Sequence, residues 1–430
     1  MSYKTSNSAY GQYYKDQLER EKNQKNKNQN NYSNFQQNNM NSKKYNYSQN
    51  NINTNYNNNS QSYQNLQKNQ SYPIQSFQNK PQNKNRDYNS NFKIFLTPDK
   101  ILSSKVGLEN LGNTCYMNSC LQILIHLPQF IYKFIDNAPE FFEKSTKPTP
   151  ISNMFYELLS NISNNQITSF SPSNFKDSFT SIHQEFFGNL EHDTQEFCRF
   201  LLQDFNRELN RISTPSSYKK ELKISNKKQM FIDYKNDCLA KESSIITDLF
   251  IGYYSYQFTC VCGCKDYTFS QFLDFPIQFP KTYNSNFNLN SLIKENFKTE
   301  KIQSQENCRQ CLRKTQLEQK IRIAELPQIL ILSLQRINQY LNTKNEAYVQ
   351  YEEKLDLRDI IDADIYNANS TRYQLYAVTN HIGNLNTGHY YSYIRVNNEW
   401  YYFTDSKVVK ANPQYNSNEV YTLFYIKLSS

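Results

Sequence analysis

Gly107-Leu-Glu-Asn-Leu-Gly-Asn-Thr-Cys-Tyr-Met-Asn-Ser-Cys-Leu-Gln-Ile-Leu-Ile-His-Leu-Pro128 is the stretch on which the reading of the chain turns. A loop holding Gly and Asn runs into a helix that opens at Cys115. Leu121, Leu124 and Ile125 recur at helical spacing, and Pro128 marks the stop. Thr114 suits the N-cap. A thiol in the first turn lies at the positive end of the helix macrodipole, which favours thiolate and so activates a catalytic cysteine. An isolated Cys is more often a buried core residue. The polar loop before this one argues against burial.

Upstream, the material changes. About a quarter of the first hundred residues are Asn, and Gln, Ser and Tyr fill much of the rest. Such a composition buries too little apolar surface to fold, so residues 1–94 read as a disordered tail. Residues 14–29 have the pattern of a transient helix. Tyr interleaved with Asn, Gln and Lys fits weak self-association or weak nucleic-acid contact, with an inert solvated tail as the preferred reading. The first hundred residues carry 14 Lys and Arg against 5 Asp and Glu, whereas the remaining 330 carry 34 of each. The basic balance belongs to the tail. No apolar run reaches the roughly 20 residues of a membrane span, and the start of the chain lacks a signal-peptide stretch. All nine Cys lie beyond residue 114, at spacings of a thiol site and a metal site rather than a disulfide framework. That points to a reducing compartment, cytoplasmic or nuclear.

Downstream, residues 128–211 read as mostly helical. Phe197, Phe200, Leu201, Phe205 and Leu209 mark an amphipathic helix, opened by Asp193 and Glu196 at capping-box spacing. Residues 212–243 read as an exposed loop or insertion. Strands follow at 252–259, 267–279 and 326–334. Among them lie Cys260, Cys262, Cys264, Cys308 and Cys311. The late pair is Cys-x-x-Cys, a zinc half-site, and two such clusters suit a closed four-thiolate structural site without chemistry of its own; a decayed site of free thiols is the alternative. Further strands are expected at 373–378, 389–396 and 400–409, with Asn397-Asn398 as a two-residue turn. His126, His183 and His192 read as structural and His381 is left open. His389 follows Gly388 at a strand start, where a general base is useful.

A Cys at a helix start, a His at a distant strand start and an acid or amide after it outline a papain-like thiol triad. Here the sequence resembles the ubiquitin-specific proteases over residues 105–428. Gly107–Ser119 is similar to that family's Cys box, and Gly388–Tyr393 with Trp400–Ser406 to its His box. Between them His192–Phe197, Ser244–Phe250, Leu326–Leu330 and Tyr373–His381 stand in the family's order. The resemblance implies an α+β, papain-like fold of thumb, palm and zinc-ribbon fingers, the fingers at roughly 245–325. It implies a deubiquitinase with Cys115 as nucleophile, His389 as base and Asn110 as oxyanion donor. It places Asp193, Glu196, His381 and Gly388 along the channel for the ubiquitin tail, beneath a blocking loop at 383–388. Ubiquitin and ubiquitinated proteins are the implied partners, zinc the implied structural metal, and no cofactor is implied for catalysis.

Two positions depart from the family pattern. The early Cys group is Cys-x-Cys, giving Cys260 and Cys262 as ligands with Cys264 as rival. The His box has Thr404 where Asn or Asp is usual, leaving Asp405. With a two-residue turn at 397–398, strand parity puts Thr404 on the face of His389 and turns Asp405 away, whereas a bulge reverses this. Because an anion stabilises imidazolium better than a hydroxyl does, Asp405 is the expected orienter and Thr404 the alternative. A protease for another ubiquitin-like modifier, and a catalytically weak ubiquitin-binding scaffold, are the competing functions.

Overall fold

The computed structural model describes residues 96–144, 148–163, 167–216, 226–280, 285–304, 306–338, 343–366, 370–384 and 387–429. The expected tail, with its transient helix and weak contacts, lies outside them.

Helix α1 (Cys115–Ile125) runs through the interior, and all eleven of its residues are buried. A helix buried all round has no solvent face, so neighbours surround it and its buried Asn118 and Gln122 find partners in the protein. On one side lie α2 (Pro128–Lys144), α3 (Pro150–Ile162) and α4 (Thr194–Glu208), and on the other the main sheet. Rings of Phe130, Phe134, Phe155 and Phe205 meet edge to face or tilted at 5.1–6.0 Å among these helices, the arrangement that aromatic quadrupoles favour. Asp193 caps α4 as its spacing predicts, accepting from the N–H groups of Gln195 and Glu196. Thr114 sits at the N-cap of α1 but makes no cap bond; its hydroxyl accepts from Leu111 N–H instead. Residues 212–243 are not all loop. Helix α5 (Lys227–Leu239) buries Phe231 beneath Tyr253 and Phe269, a docking that a lysine-rich sequence with one buried ring does not advertise.

Eight strands form the main sheet. In spatial order it reads β10 (Lys407–Lys410), β9 (Glu399–Thr404), β8 (Gly388–Val396), β7 (Arg372–Gly383), β11 (Val420–Lys427), β6 (Ile329–Leu334) and β3 (Phe275–Ile277), with Lys354–Asp356 also paired to β7. All these pairs are antiparallel except β3 with β6. The last strand in sequence, β11, therefore lies inside the sheet. β8 and β9 join at Asn397-Asn398, both at positive φ (51° and 65°), the geometry of the two-residue turn read from sequence. The expected strand 400–409 is instead a hairpin, because Asp405 takes φ +47° and turns the chain from β9 into β10.

A second sheet stands apart, in the order β2 (Lys265–Phe272), β1 (Gly252–Cys260), β5 (Gln316–Glu325), β4 (Glu300–Gln303). Its far end carries Cys260, Cys262, Cys308 and Cys311. Strand β5, Gln-Leu-Glu-Gln-Lys-Ile-Arg-Ile-Ala-Glu, was not among the expected strands.

Candidate active site and thiolate cluster

The loop before Cys115 is shaped by its own Asn. Asn110 Oδ1 accepts from the N–H groups of Gly112 (3.0 Å) and Thr114 (3.1 Å), and Gly112 and Asn113 supply the positive φ values the turn needs. With its oxygen used inward, the Asn110 amide nitrogen points out and donates to Asp405 Oδ2 at 2.9 Å. The other Asp405 oxygen accepts from Asn118 Nδ2 at 2.8 Å, and the Asp405 carbonyl accepts from Leu108 N–H at 2.9 Å. One residue of the palm thus holds three groups of the Cys loop and α1. The approach is close: a Cβ on Gly107 would lie 2.3 Å from the backbone of Ser406.

Cys115 is buried, 5% exposed, against the sequence expectation of an open thiol. Burial pushes the thiol up from its ordinary value. The Tyr390 N–H opposes this, while the negative charges of Asp405 and Glu191 add to it. The surroundings of Cys115 thus favour the neutral thiol over the thiolate. Tyr390, whose N–H meets the sulfur, follows His389, so thiol and imidazole come from adjoining positions of α1 and β8.

His389 Nε2 lies 2.7 Å from Thr404 Oγ1. Asp405 does not orient the imidazole, correcting the expectation: with no bulge at residues 397–398, parity leaves Asp405 facing the Cys loop and Thr404 facing His389. For Nδ1 to accept a proton, Nε2 carries the hydrogen and Thr404 accepts it.

The expected channel residues gather nearby. Gly388 N–H donates to Glu191 Oε1 at 3.3 Å, and a Cβ on Gly388 would lie 2.2 Å from His381 Nε2, so only glycine fits. The His381 ring lies tilted against Tyr390, centroids 4.4 Å apart; burial, with help from Lys344 and His389, lowers its pKa to about 4. Asp193 spends one oxygen on the helix cap and the other on the Tyr421 hydroxyl, leaving neither oxygen without a partner in this state. Burial raises its pKa despite these bonds. Glu196 is exposed on the first turn of α4. Glu191 and Asn118 were missed from sequence. Asn118, one turn after Cys115, carries a signal in its spacing, whereas Glu191 carries none. His126 and His183 are buried, and His192 is half-buried against Phe186.

At the tip of the second sheet, the sulfurs of Cys260, Cys262, Cys308 and Cys311 all lie within 4.8 Å of one another. The pairs Cys260–Cys311 and Cys262–Cys308 are 3.8 and 3.6 Å apart. A tetrahedral ion with metal–sulfur bonds of about 2.3 Å needs sulfurs about 3.8 Å apart, so the donor set fits. The one-residue gap between Cys260 and Cys262 is absorbed by a tight turn in which Gly263 takes φ +87° and its N–H bonds Cys260 O. Cys264 stands outside the cluster and accepts from Arg309 Nε at 3.5 Å.

Thiol, imidazole and outward amide on a helix-and-sheet frame make a papain-like layout. A family model described as ubiquitin carboxyl-terminal hydrolase matches residues 106–425, and the chain belongs to that family. Ubiquitin carboxyl-terminal hydrolase 2 of Bos taurus is 32% identical over 74% of this chain and 54% of its own length. Ubiquitin carboxyl-terminal hydrolase 5 of Saccharomyces cerevisiae is 30% identical over 75% and 45%. The chain thus spans about half the length of these relatives. Among solved structures, the SAGA Ubp8/Sgf11/Sus1/Sgf73 DUB module bound to ubiquitin aldehyde shares the fold, with TM-score 0.61, 21% identity and coverage of 77% of this chain and 71% of that one.

Proposed function

We propose that the chain is a cysteine deubiquitinase that hydrolyses the peptide or isopeptide bond after the C-terminal glycine of ubiquitin. The observation that carries this reading is the outward-facing Asn110 amide, braced by Asp405 beside the Cys115–His389 pair. In this mechanism His389 Nδ1 takes the Cys115 proton, the sulfur attacks the carbonyl, and Asn110 Nδ2 donates to the oxygen as it gains charge. His389 then protonates the leaving amine, and water attacks the thioester with His389 again as base. Thr404 keeps the imidazole in the required tautomer. Gly388, His381, Asp193 and Glu196 line the path of the ubiquitin tail, and the absence of a Cβ at Gly388 limits that path to a slender chain.

The catalytic domain occupies residues 105–428, behind a basic tail at 1–94. Among the described residues no helix is long and apolar enough to cross a membrane, and the uncrosslinked cysteines suit the cytoplasm or nucleus. A ubiquitin probe carrying a C-terminal electrophile is expected to label the wild type and not Cys115→Ala. Labelling of neither, or equal labelling by a probe built on another modifier, overturns the reading.

Zinc suits the four thiolates, with Cys260, Cys262, Cys308 and Cys311 as ligands, and its part is to hold the tips of two hairpins together. Cys308→Ser is expected to lower bound zinc, measured by elemental analysis, from about one per chain to near zero. It is also expected to raise KM for a ubiquitin substrate about tenfold with little change in kcat, because the cluster is remote from Cys115 in the fold. A full zinc content in the variant argues against this ligand set.

A further inference from the structure

We propose that Lys344 is a positioning residue for His389, acting through the end of β7. The proposal deepens the hydrolase reading and rests on it for its kinetic part.

Strand β7 runs to Gly383, but β11 pairs with it only as far as Asn380 opposite Val420. The last bond on that side runs from His381 N–H to Glu419 O. Alternate residues of an antiparallel strand turn their peptide groups to the same side. The carbonyls of His381 and Gly383 therefore face the side where β11 has run out. Unpaired carbonyls at such a place need a partner. Lys344 supplies it. From the short strand Thr343–Lys344, paired to Ile337–Asn338, its Nζ donates to His381 O at 3.0 Å and Gly383 O at 2.7 Å. One ammonium does the work of a missing strand, through bonds roughly twice as strong as neutral ones.

The clamped segment is the one from which His389 hangs. Ile382, between the two carbonyls, is the register partner of His389, and Gly383 is that of Gly388. The same ammonium acts on the ring beside them, since its charge adds to burial in keeping His381 neutral. A neutral His381 ring backs Gly388 without a Cβ between them. Around Lys344 stand Arg336, which opposes its charge, and Glu346 and Glu419, which favour it. Arg336, itself buried, bonds the carbonyls of Asn345 and Ala347 and so fixes the chain that carries Lys344. Losing the clamp leaves the pairing of β7 with β8 in place but frees its end, where a shift of about 1 Å in a catalytic group costs on the order of a hundredfold.

The test uses the full chain as wild type, Lys344→Gln, Lys344→Arg and His389→Ala. Two quantities are read: kcat and KM on ubiquitin–aminomethylcoumarin, and the pH profile of Cys115 alkylation by iodoacetamide, followed by mass spectrometry of the Cys115 peptide. Lys344→Gln is expected to lower kcat about tenfold with KM within threefold, and to shift the alkylation profile toward that of His389→Ala. Lys344→Arg is expected to recover most of kcat and the wild-type profile. A merely structural role would lower activity with the folded fraction and leave the shape of the profile unchanged. A Lys344→Gln profile identical to wild type, or kcat within twofold, overturns the proposal. If the wild type does not turn over the ubiquitin substrate, the hydrolase reading fails, while the alkylation profiles still decide whether Lys344 positions His389.

Discussion

Asp405→Ala is expected to lower kcat on a ubiquitin fluorogenic substrate by about a hundredfold to a thousandfold, with KM changed less than about threefold; this is the range seen when an oxyanion donor is lost. Its carboxylate is what points Asn110 Nδ2 outward and ties Asn118 of α1 to the palm. Without it, the Asn110 amide is held only through its oxygen and rotates away from the carbonyl under attack. The thiol is expected to respond in the opposite sense. The Asp405 charge helps raise the Cys115 pKa; removing it lowers that pKa, puts more thiolate present at neutral pH, and speeds alkylation by iodoacetamide. A faster thiol on a slower enzyme separates loss of transition-state stabilisation from loss of nucleophile activation. A kcat for Asp405→Ala within threefold of wild type would show that Asn110 needs no brace.

Thr404 offers a change in the favourable direction. The hydroxyl 2.7 Å from His389 Nε2 is a neutral acceptor, whereas the step that forms imidazolium rewards an anion. A charge-assisted bond exceeds a neutral one by about 1.4 kcal/mol, which is a factor of about ten. Thr404→Asp is therefore expected to raise kcat/KM about tenfold. Thr404→Ala removes the acceptor and is expected to lower kcat about tenfold. Rates of the three proteins across pH 5–9 check both directions, and a Thr404→Asp enzyme no faster than wild type would place the limiting step elsewhere.

Much of this architecture was legible before the coordinates because its determinants are local. The helix at Cys115, the cap at Asp193 and the turn at Asn397-Asn398 each follow from neighbouring residues. Spacing alone marked Cys308 and Cys311 as a pair; the resemblance gave Cys260 and Cys262 with Cys264 as rival, and the turn at Gly263 brings Cys260 and Cys262 into the cluster. What failed was set by distant groups. The state of the Cys115 thiol depends on burial and on the carboxylates of Asp405 and Glu191, which come from other parts of the chain. The partner of His389, by contrast, turned on a nearby feature, whether the hairpin at Asn397-Asn398 held a bulge. Parity favoured Thr404, and a chemical preference for an anion led to Asp405. The anion is present at the site, but it serves the Cys loop. Lys344 and Glu191 carry no local signal, since a lysine near the end of one hairpin meets the end of another strand only once the sheet is built.

The position of β11 has a consequence for how the protein comes into being. Residues 420–427 lie about 300 positions after Cys115, yet they form an interior strand, with β7 on one side and β6 on the other. Until they arrive, β7 lacks its inner neighbour, and Tyr421 is not there to hold Asp193 at the head of α4. Pairings so distant in sequence form slowly. Cys115 therefore stands beside an incomplete sheet until this distant strand pairs, and a chain cut before residue 420 would carry the thiol without the assembled sheet around it.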